Sequence, residues 1–396
     1  MNHTAEPAAA AASSAAPSRA EHAAGIAAYQ EAGVALAREI GNRGPIRFDA
    51  NGRLAADIVD AYWRHGFYIF ENVIGADEVA ALRRDAGEML DRAPADRDSK
   101  VDRKGRPALG LDLQRPSFNF VTPLSDPVGG TEALGGRHPS KMAEPKPDAD
   151  APRDVVHQMR GMCMHMPSAL RLYGHPQLLA IAQEINGEDF TPFNDVIFVK
   201  QPGLGGSVAW HQDGVTHWNS PDWDQGSHGF NFQVQIYPTT PANALWVMPG
   251  THKLGRADIR GMVAANGGDE KLPGALPLVC EAGDVTIVNR QTLHGSFANT
   301  SPDLRISITF GFHRRRSVLG AKAALSQVAD GGSYDAERIF RRATVIQLAI
   351  DARCQAFPDE TAFRYAPLAD RADELRFNDE TAERYLRNYN LYDLAI

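Results

Sequence analysis

The sequence predicts a mainly β protein with flanking helices, built on a double-stranded β-helix, which is the jelly-roll or cupin-like fold. Two observations favour this fold. Between Gly187 and about residue 316, short apolar strands are interrupted again and again by Gly and Pro, whereas helical periodicity is found on both sides of that stretch. The predicted core strands lie near 193–200, 207–213, 230–237, 244–248, 284–288, 291–297 and 304–313.

The N-terminal part is predicted to begin with a disordered Ala-rich tail over residues 1–25. Pro7 and Pro17 interrupt any helix there, and no apolar stripe is present to dock one. Order is expected to start with amphipathic helices near 26–41 and 53–64. A strand over 67–73 and a helix from about Asp77 follow, because apolar residues then recur at helical spacing.

The jelly-roll domain is predicted to span residues 26–330 and to include one long irregular segment, 94–155. That segment is rich in Pro, Gly and charge. Loops of this length in compact domains are usually functional or disordered. We interpret it as a lid that contacts the substrate, with a solvated flexible insertion as the alternative. A helix is expected after Pro176, ending at Gly187.

Residues 331–396 are predicted to form a C-terminal helical extension that packs on the core or on another subunit. Ile339, Ile346 and Ile350 share one helical face, and so do Tyr385 and Tyr389. Helices of this extension would therefore carry any homo-oligomer contact. No chemistry is visible in this part of the sequence.

Composition limits the function classes. A chain of 396 residues with 43% hydrophobic content can bury a large core. The formal net charge of -8 argues against nucleic acid and anionic membranes as partners, because both require basic patches. No run of 18 apolar residues is present to span a bilayer. The three cysteines give neither a disulfide framework nor zinc spacing, which favours a cytoplasmic location.

A metal site is predicted from His211, Asp213 and His294. Side chains two residues apart on a strand point to the same side, so His211 and Asp213 can bind one ion. A third imidazole from a distant strand completes two histidines and one carboxylate, the pattern of non-heme iron(II) oxygenases. His228 and His252 are alternatives for the third ligand, but neither has an arginine at the spacing that His294 has.

Arg305 is predicted to bind a carboxylate beside this metal. It follows His294 by eleven residues, which is enough to turn and return on the neighbouring strand. A guanidinium is planar and always charged, so it suits a bidentate pair with a carboxylate. Ser307 lies two residues further on, on the same face of the strand, and can donate its hydroxyl to the same group.

These motifs resemble the phytanoyl-CoA dioxygenase (PhyH-like) family of iron(II)/2-oxoglutarate-dependent dioxygenases. The resemblance covers roughly residues 60–315 and includes Gly66–Val73, Lys200–Gly203 and Val247–His252. It implies Fe(2+) as cofactor, with 2-oxoglutarate and O2 as co-substrates. In the family, Arg305 and Ser307 would anchor the distal carboxylate of 2-oxoglutarate. Gln235 would contact the same molecule. Gln212 is expected to point away from the ligands on a strict strand reading, but in the family this residue lies near the site and would support it.

The function expected from this resemblance is hydroxylation of an unactivated C–H bond in a small-molecule metabolite, with release of succinate and CO2. Asp213 disfavours halogenation, because the iron halogenases of this superfamily have a small residue at that position. Desaturation, epoxidation or cyclisation by the same oxidant remains an alternative. So do a metal-binding jelly-roll sensor without turnover and a zinc or manganese hydrolase-like cupin, which would not need Arg305.

The substrate pocket is the least defined part of the prediction. His217, Trp218, Tyr237 and Trp246 are candidates for its wall, although aromatic residues at strand spacing also occur as core residues. In the strand near 230–237, polar residues alternate with apolar ones. We therefore expect Gln233 and Gln235 to face a polar barrel interior, with a solvated outer face as the alternative.

Overall fold

The computed structural model describes residues 16–213, 229–321, 333–387 and 389. The described helices are α1 (Arg19–Ile40), α2 (Ala56–His65), α3 (Ala76–Asp91), α4 (Met162–His165), α5 (Pro167–Tyr173), α6 (Pro176–Asn186), α7 (Ile259–Ala265), α8 (Arg315–Val318), α9 (Ala336–Ala356) and α10 (Asp379–Tyr385). The described strands are β1 (Arg43–Gly44), β2 (Phe67–Phe70), β3 (Phe118–Val121), β4 (Val155–Met159), β5 (Thr191–Lys200), β6 (Val208–His211), β7 (Gly229–Gln235), β8 (Trp246–Val247), β9 (Leu276–Pro277), β10 (Val285–Asn289), β11 (His294–Ser296) and β12 (Arg305–His313).

The strands form the two sheets of a double-stranded β-helix, which confirms the predicted fold class. The large sheet has the order β1-β2-β10-β7-β12-β5-β4-β3, and the small sheet has the order β6-β11-β8-β9. All strand pairs except β1 with β2 are antiparallel. From β2 to β5 in the large sheet and from β6 to β8 in the small sheet, neighbouring strands are not consecutive in sequence, so residues far apart in the chain meet across each sheet.

The large sheet has one apolar face and one polar face, because side chains alternate along each strand. On β12, Ile306, Ile308 and Phe310 join the main hydrophobic core, together with apolar residues of α3, α5, α6 and α9. Arg305 and Ser307 lie on the other face. The register pairs Ser307 with Gln235 of β7 and with Phe198 of β5, so the polar residues of neighbouring strands share that interior face.

Helix α1 begins at Arg19, not at residue 26, so the last part of the predicted tail is helical. The reason is local: Ser18 and Glu21 form a capping box, with the Ser18 hydroxyl accepting from the Glu21 amide. The helix lies against the small sheet, where Tyr29 stacks on Trp246 with ring centroids 4.7 Å apart. Residues 1–15 lie outside the described residues.

The predicted irregular segment contains β3 and the first residue of β4, Val155, and these two strands extend the edge of the large sheet. They are short and their pairing is broken by a bulge between Asn119 and Phe120, so their periodicity is weak in sequence. The remainder, residues 122–154, connects β3 to β4 without further strands. Within this β3–β4 connection, Leu134, Gly135 and Gly136 have φ angles of 53°, 68° and 69°. Three successive left-handed residues make a tight turn there.

Helix α9 packs inside the main core rather than on its surface. Its residues Ala343, Ile346 and Ala349 belong to the same hydrophobic cluster as the large sheet. A Cβ at Gly174, which follows α5, would lie 2.3 Å from the Ala349 carbonyl oxygen, so the two backbones are in direct contact. No helix of the described ranges is both long and apolar enough to cross a bilayer.

Candidate metal centre

His211, Asp213 and His294 come together in one buried cluster. One potential ligand atom of each residue lies within 4.8 Å of those of the other two. The His211 Nε2 is 3.7 Å from Asp213 Oδ1, and the His294 Nε2 is 3.9 Å from Asp213 Oδ2. β6 ends at His211 and pairs with β11 at His294, so the sheet register itself places the two imidazoles side by side.

Both imidazoles are oriented by backbone carbonyls. The His211 Nδ1 donates to the Ala209 carbonyl and the His294 Nδ1 donates to the Thr292 carbonyl, each at 2.8 Å. These bonds place the protons on Nδ1 and leave the Nε2 lone pairs free for a metal. Burial lowers the pKa of both histidines, which favours the neutral, ligating form.

Asp213 follows the end of β6 and is held by polar groups from three parts of the chain. Its amide donates to the Arg290 carbonyl at 2.8 Å. The Arg137 Nη1 donates to Oδ1 at 2.8 Å, and the Asn231 Nδ2 donates to Oδ2 at 2.9 Å. Burial alone would raise the pKa of Asp213, but Arg137 and His294 outweigh it and the pKa lies below the usual range. The carboxylate is therefore ionised and ready to bind a cation.

His138 adds a third imidazole to the cluster, outside the ligand triad. Its ring stacks on His211 with centroids 4.1 Å apart and an interplanar angle of 30°. Its Nδ1 donates to the same Ala209 carbonyl, at 3.2 Å, while its Nε2 is buried and has no partner. Burial is the main cause that lowers the pKa of His138 to about 3.

Arg305 is a buried guanidinium that has only neutral partners in the described part of the chain. Nη1 donates to the Asn243 carbonyl and Nη2 donates to Gln233 Oε1, both at 2.9 Å, and Nε has no partner. The Ser307 Oγ and the Gln235 Oε1 are likewise buried without partners. A buried cation that lacks an anion, beside unsatisfied polar groups, fits an anionic ligand.

Lys200 places a second cation next to Arg305, since the two residues pair in the register of β5 and β12. It is 1% exposed, and its ammonium donates to the carbonyls of Gly206 and Phe297. Burial and the nearby Arg305 lower its pKa well below the usual value. The interior face around Arg305 therefore holds two buried basic side chains, and an anion bound beside Arg305 would favour the charged form of Lys200.

The remaining predicted site residues are placed as follows. Gln212 points away from the triad, as expected, and its amide connects the backbones of Gly255, Ala257 and Gln291. Gln235 faces the interior and donates to Gln233 Oε1 at 3.0 Å. His217 and Trp218 lie outside the described residues, and so does the alternative ligand His228.

Two expectations need correction. Arg305 does not lie on the strand that neighbours His294, because β12 belongs to the large sheet and β11 to the small one. Trp246 does not line a pocket: it is fully buried between Tyr29 and Phe297 and donates to the Pro241 carbonyl. Tyr237 is partly buried against the main core, under the Arg83 guanidinium at 4.7 Å, and its place in a pocket wall stays a prediction.

His252, the other alternative ligand, is not in the cluster. Its Nε2 is 2.9 Å from the Trp63 carbonyl, to which it donates. The structure also adds Arg137, His138 and Asn231, which sequence reasoning did not single out. For Arg137 and His138 the available signal was a basic pair directly after Gly135-Gly136, within the segment predicted to contact the substrate.

The donor set fits iron(II). Two neutral imidazoles and one carboxylate on one side of a metal leave coordination positions for other ligands, which is the arrangement used by non-heme iron oxygenases. Structural zinc sites instead fill four positions with cysteine and histidine. No cysteine belongs to this cluster, since Cys163, Cys280 and Cys354 are not among its members.

Comparisons with known proteins agree with this site. The chain matches the family described as phytanoyl-CoA dioxygenase (PhyH) over residues 62–307. It is 21% identical to a phytanoyl-CoA dioxygenase of Arabidopsis thaliana over 267 residues, covering 64% of this chain and 87% of that protein. It is 31% identical to phytanoyl-CoA dioxygenase 1 of Oryza sativa subsp. japonica over 117 residues, which are 28% of this chain and only 40% of the rice protein.

Three further similar proteins are one sequence relative and two solved structures. The ectoine dioxygenase of Halomonas elongata is 22% identical over 294 residues, which cover 67% of this chain and 72% of that protein. Among solved structures, EctD from S. alaskensis with 2-oxoglutarate and 5-hydroxyectoine has 20% identity and a TM-score of 0.47, covering 71% of this chain and 82% of that chain. The epimerase SnoN, with Fe³⁺, alpha ketoglutarate and nogalamycin RO, has 16% identity and a TM-score of 0.42, covering 76% and 92%. The family match spans well over half of the sequence and includes all three members of the metal triad, so this chain belongs to the phytanoyl-CoA dioxygenase family.

Proposed function

We propose that this protein is an iron(II)- and 2-oxoglutarate-dependent dioxygenase that hydroxylates an unactivated C–H bond of a small-molecule metabolite. The observation that carries the proposal is the pairing of two features: a buried His211–Asp213–His294 triad and a buried Arg305 without an acidic partner in the described residues. A metal alone explains the first feature. Only a metal together with an anionic co-substrate explains both.

Each residue has a definite task in this proposal. His211, Asp213 and His294 would hold iron(II), with the backbone carbonyls of Ala209 and Thr292 fixing the two imidazoles. Arg305 and Ser307 would bind the distal carboxylate of 2-oxoglutarate, using the buried Nε and Oγ atoms that now lack partners. Gln235 would complete this polar surface.

When bound, iron(II) and 2-oxoglutarate together activate O2, which converts 2-oxoglutarate into succinate and CO2 and oxidises a substrate C–H bond. The protein keeps the site dry and holds the reactants in position. Burial of the triad residues and of Arg305 excludes water, and this also strengthens the attraction between Arg305 and a carboxylate. We infer a small-molecule substrate, and three free cysteines agree with a cytoplasmic location.

The alternatives make different demands on the same residues. A hydrolase-like cupin with zinc or manganese would have no use for a buried Arg305, and a sensor would bind metal and ligand without consuming oxygen. Desaturation, epoxidation and cyclisation use the same cofactors. The epimerase SnoN among the structural neighbours also carries iron and alpha ketoglutarate, so the outcome has to be measured.

The test is anaerobic reconstitution with iron(II) and 2-oxoglutarate, followed by admission of oxygen. We expect a weak visible charge-transfer band on adding 2-oxoglutarate, and succinate release once oxygen is present. His211→Ala and Asp213→Ala should abolish both. A band without succinate would support the sensor, and the absence of both from the unmodified protein would refute the proposal.

A further inference from the structure

The most informative feature that the proposed function leaves unexplained is the Arg137 guanidinium. One nitrogen, Nη1, donates to Asp213 Oδ1 at 2.8 Å. The Nε is buried and has no partner among the described residues, and no hydrogen bond of Nη2 is found there either. The Nε and Nη2 atoms form one edge of the guanidinium, and that edge is suited to a bidentate bond with a carboxylate.

A turn in the β3–β4 connection places this edge of Arg137 beside the metal triad. Arg137 directly follows Leu134, Gly135 and Gly136. The left-handed backbone of these residues forms the turn at which the β3–β4 connection reaches the site. The Arg137 side chain is 14% exposed and is held by its bond to Asp213, whose side chain is 10% exposed. A guanidinium held this way is fixed in position before any ligand arrives.

A second, independent observation points to a ligand at the same place. His138 is 2% exposed and stacks on His211, and its buried Nε2 has no partner among the residues that the structure describes. Leaving a buried polar atom unsatisfied is costly, so such an atom calls for a partner, and beside the metal triad a bound ligand would supply one. Arg137 and His138 are consecutive in sequence, and both have unsatisfied nitrogen atoms beside the triad.

We propose that the free edge of Arg137 forms a second carboxylate-binding position, beside the metal triad and separate from Arg305. This inference rests on the proposed function. The carboxylate has two sources: the metal-side end of 2-oxoglutarate or the substrate itself. An amino or hydroxy acid substrate would satisfy both residues, since its N–H or O–H group can also donate to His138 Nε2.

The first experiment measures binding without turnover. Enzyme loaded with Mn(II) is titrated calorimetrically with 2-oxoglutarate, for the unmodified protein, Arg137→Gln, Arg137→Lys and the control Lys141→Gln. Lys141 lies on the same β3–β4 connection, is 55% exposed and pairs with Glu144, so its variant makes the same charge change away from the site. If 2-oxoglutarate is the source, Arg137→Gln weakens binding by about 10- to 150-fold, Arg137→Lys recovers only part, and Lys141→Gln matches the unmodified protein.

The second experiment tests the substrate as the source. With 2-oxoglutarate bound, the Mn(II) enzyme is titrated with free L-amino acids and 2-hydroxy acids, each beside its primary amide. The proposal expects at least one acid to bind more tightly than its amide, and Arg137→Gln to remove that preference. Because neither titration needs oxygen or succinate, failure of the proposed function and failure of this inference give different results.

Two outcomes overturn the inference. One is equal affinity of Arg137→Gln and the unmodified protein for 2-oxoglutarate, together with no acid preferred over its amide. The other is a loss of 2-oxoglutarate or acid binding in Arg137→Gln that is fully explained by weaker Mn(II) affinity. In that case Arg137 would only support Asp213. A separate Mn(II) titration of each variant, with far-ultraviolet circular dichroism to confirm folding, distinguishes the second outcome.

Discussion

At the residue scale, the site is defined by which polar atoms lack partners. The metal ligands are satisfied on their outer sides by the Ala209 and Thr292 carbonyls, Asn231 and Arg137. Their inner atoms face one another. In contrast, Arg305, Ser307 and Gln235 contain buried atoms that have no partner in the described part of the chain. Because a buried polar group calls for a partner, the two sets together agree with the proposed binding of a metal and of 2-oxoglutarate.

Arg305→Gln should raise the dissociation constant for 2-oxoglutarate by about 10- to 150-fold, since one charge-assisted pair contributes roughly 1.5–3 kcal/mol. This dissociation constant is measured by anaerobic titration of the iron(II) enzyme with 2-oxoglutarate, using the intensity of the visible charge-transfer band. Arg53→Gln is the matched control, because Arg53 is 69% exposed and pairs with Glu184 on the surface. An unchanged constant for Arg305→Gln would mean that the anchor has been assigned to the wrong residue.

His138→Ala should weaken metal binding by about 10-fold or more, because it removes the ring that covers His211 and admits water to the ligand. His138→Phe keeps a stacked ring and should bind Mn(II) nearly as tightly as the unmodified protein. Competition titration with a metal-sensitive dye gives both constants. Equal losses in the two variants would show that the nitrogen atoms of His138, and not its ring, support the site.

At the element scale, helix α1 illustrates how tertiary contacts decide the effect of one residue type. Gly25 and Gly33 both lie in this helix. A Cβ added at Gly25 would meet no atom within 4 Å, whereas one added at Gly33 would lie 2.6 Å from Trp246 and 2.9 Å from Pro277. Gly33 therefore lets the helix approach the small sheet closely.

Gly25→Ala should increase the free energy of unfolding by up to about 1 kcal/mol, from better helix propensity and a less flexible unfolded chain. Gly33→Ala should decrease it by about 1–3 kcal/mol, because overpacking against Trp246 outweighs the same gain. Urea unfolding monitored by circular dichroism compares the two variants with the unmodified protein. Stabilisation by both substitutions would contradict the close packing of α1 on the small sheet.

Sequence periodicity predicted the strands that carry the triad and Arg305, and it placed β5, β7, β10 and β12 within a few residues. It could not assign strands to sheets. The eleven residues from His294 to Arg305 are compatible with a hairpin, and only the three-dimensional pairing shows that β12 joins β5 and β7 instead. Arg137 and His138 were missed because they reach the site through the left-handed turn at 134–136, which has no repeating pattern.

At the scale of the whole molecule, several buried histidines make stability depend on pH. Burial lowers the pKa of His157 and of His175 to about 3, against about 6.5 in the unfolded chain. Between these values the unfolded state binds protons that the folded state does not. The contribution of the two neutral histidines to the free energy of unfolding is therefore fully present above pH 6.5, and it is lost as the pH falls towards 3.

The free energy of unfolding of the metal-free protein should therefore decrease between pH 6.5 and 5, by up to about 1.4 kcal/mol per pH unit for each such histidine. Urea unfolding at pH 7.5, 6.5 and 5.5 measures the slope. His175→Gln removes one titrating group and should make the slope shallower, with little change above pH 7. An identical slope in this variant would mean that His175 is protonated in the folded state.

The buried ammonium of Lys200 makes it possible to measure how fast the strands of the barrel separate. Its nitrogen is enclosed by the Gly206 and Phe297 carbonyls and does not meet water in the folded state. An amine-reactive label can therefore reach Lys200 only when the strands around it separate, while surface lysines such as Lys104 and Lys141 react at once. The rate of Lys200 acylation, measured by mass spectrometry, therefore reports how fast the barrel opens.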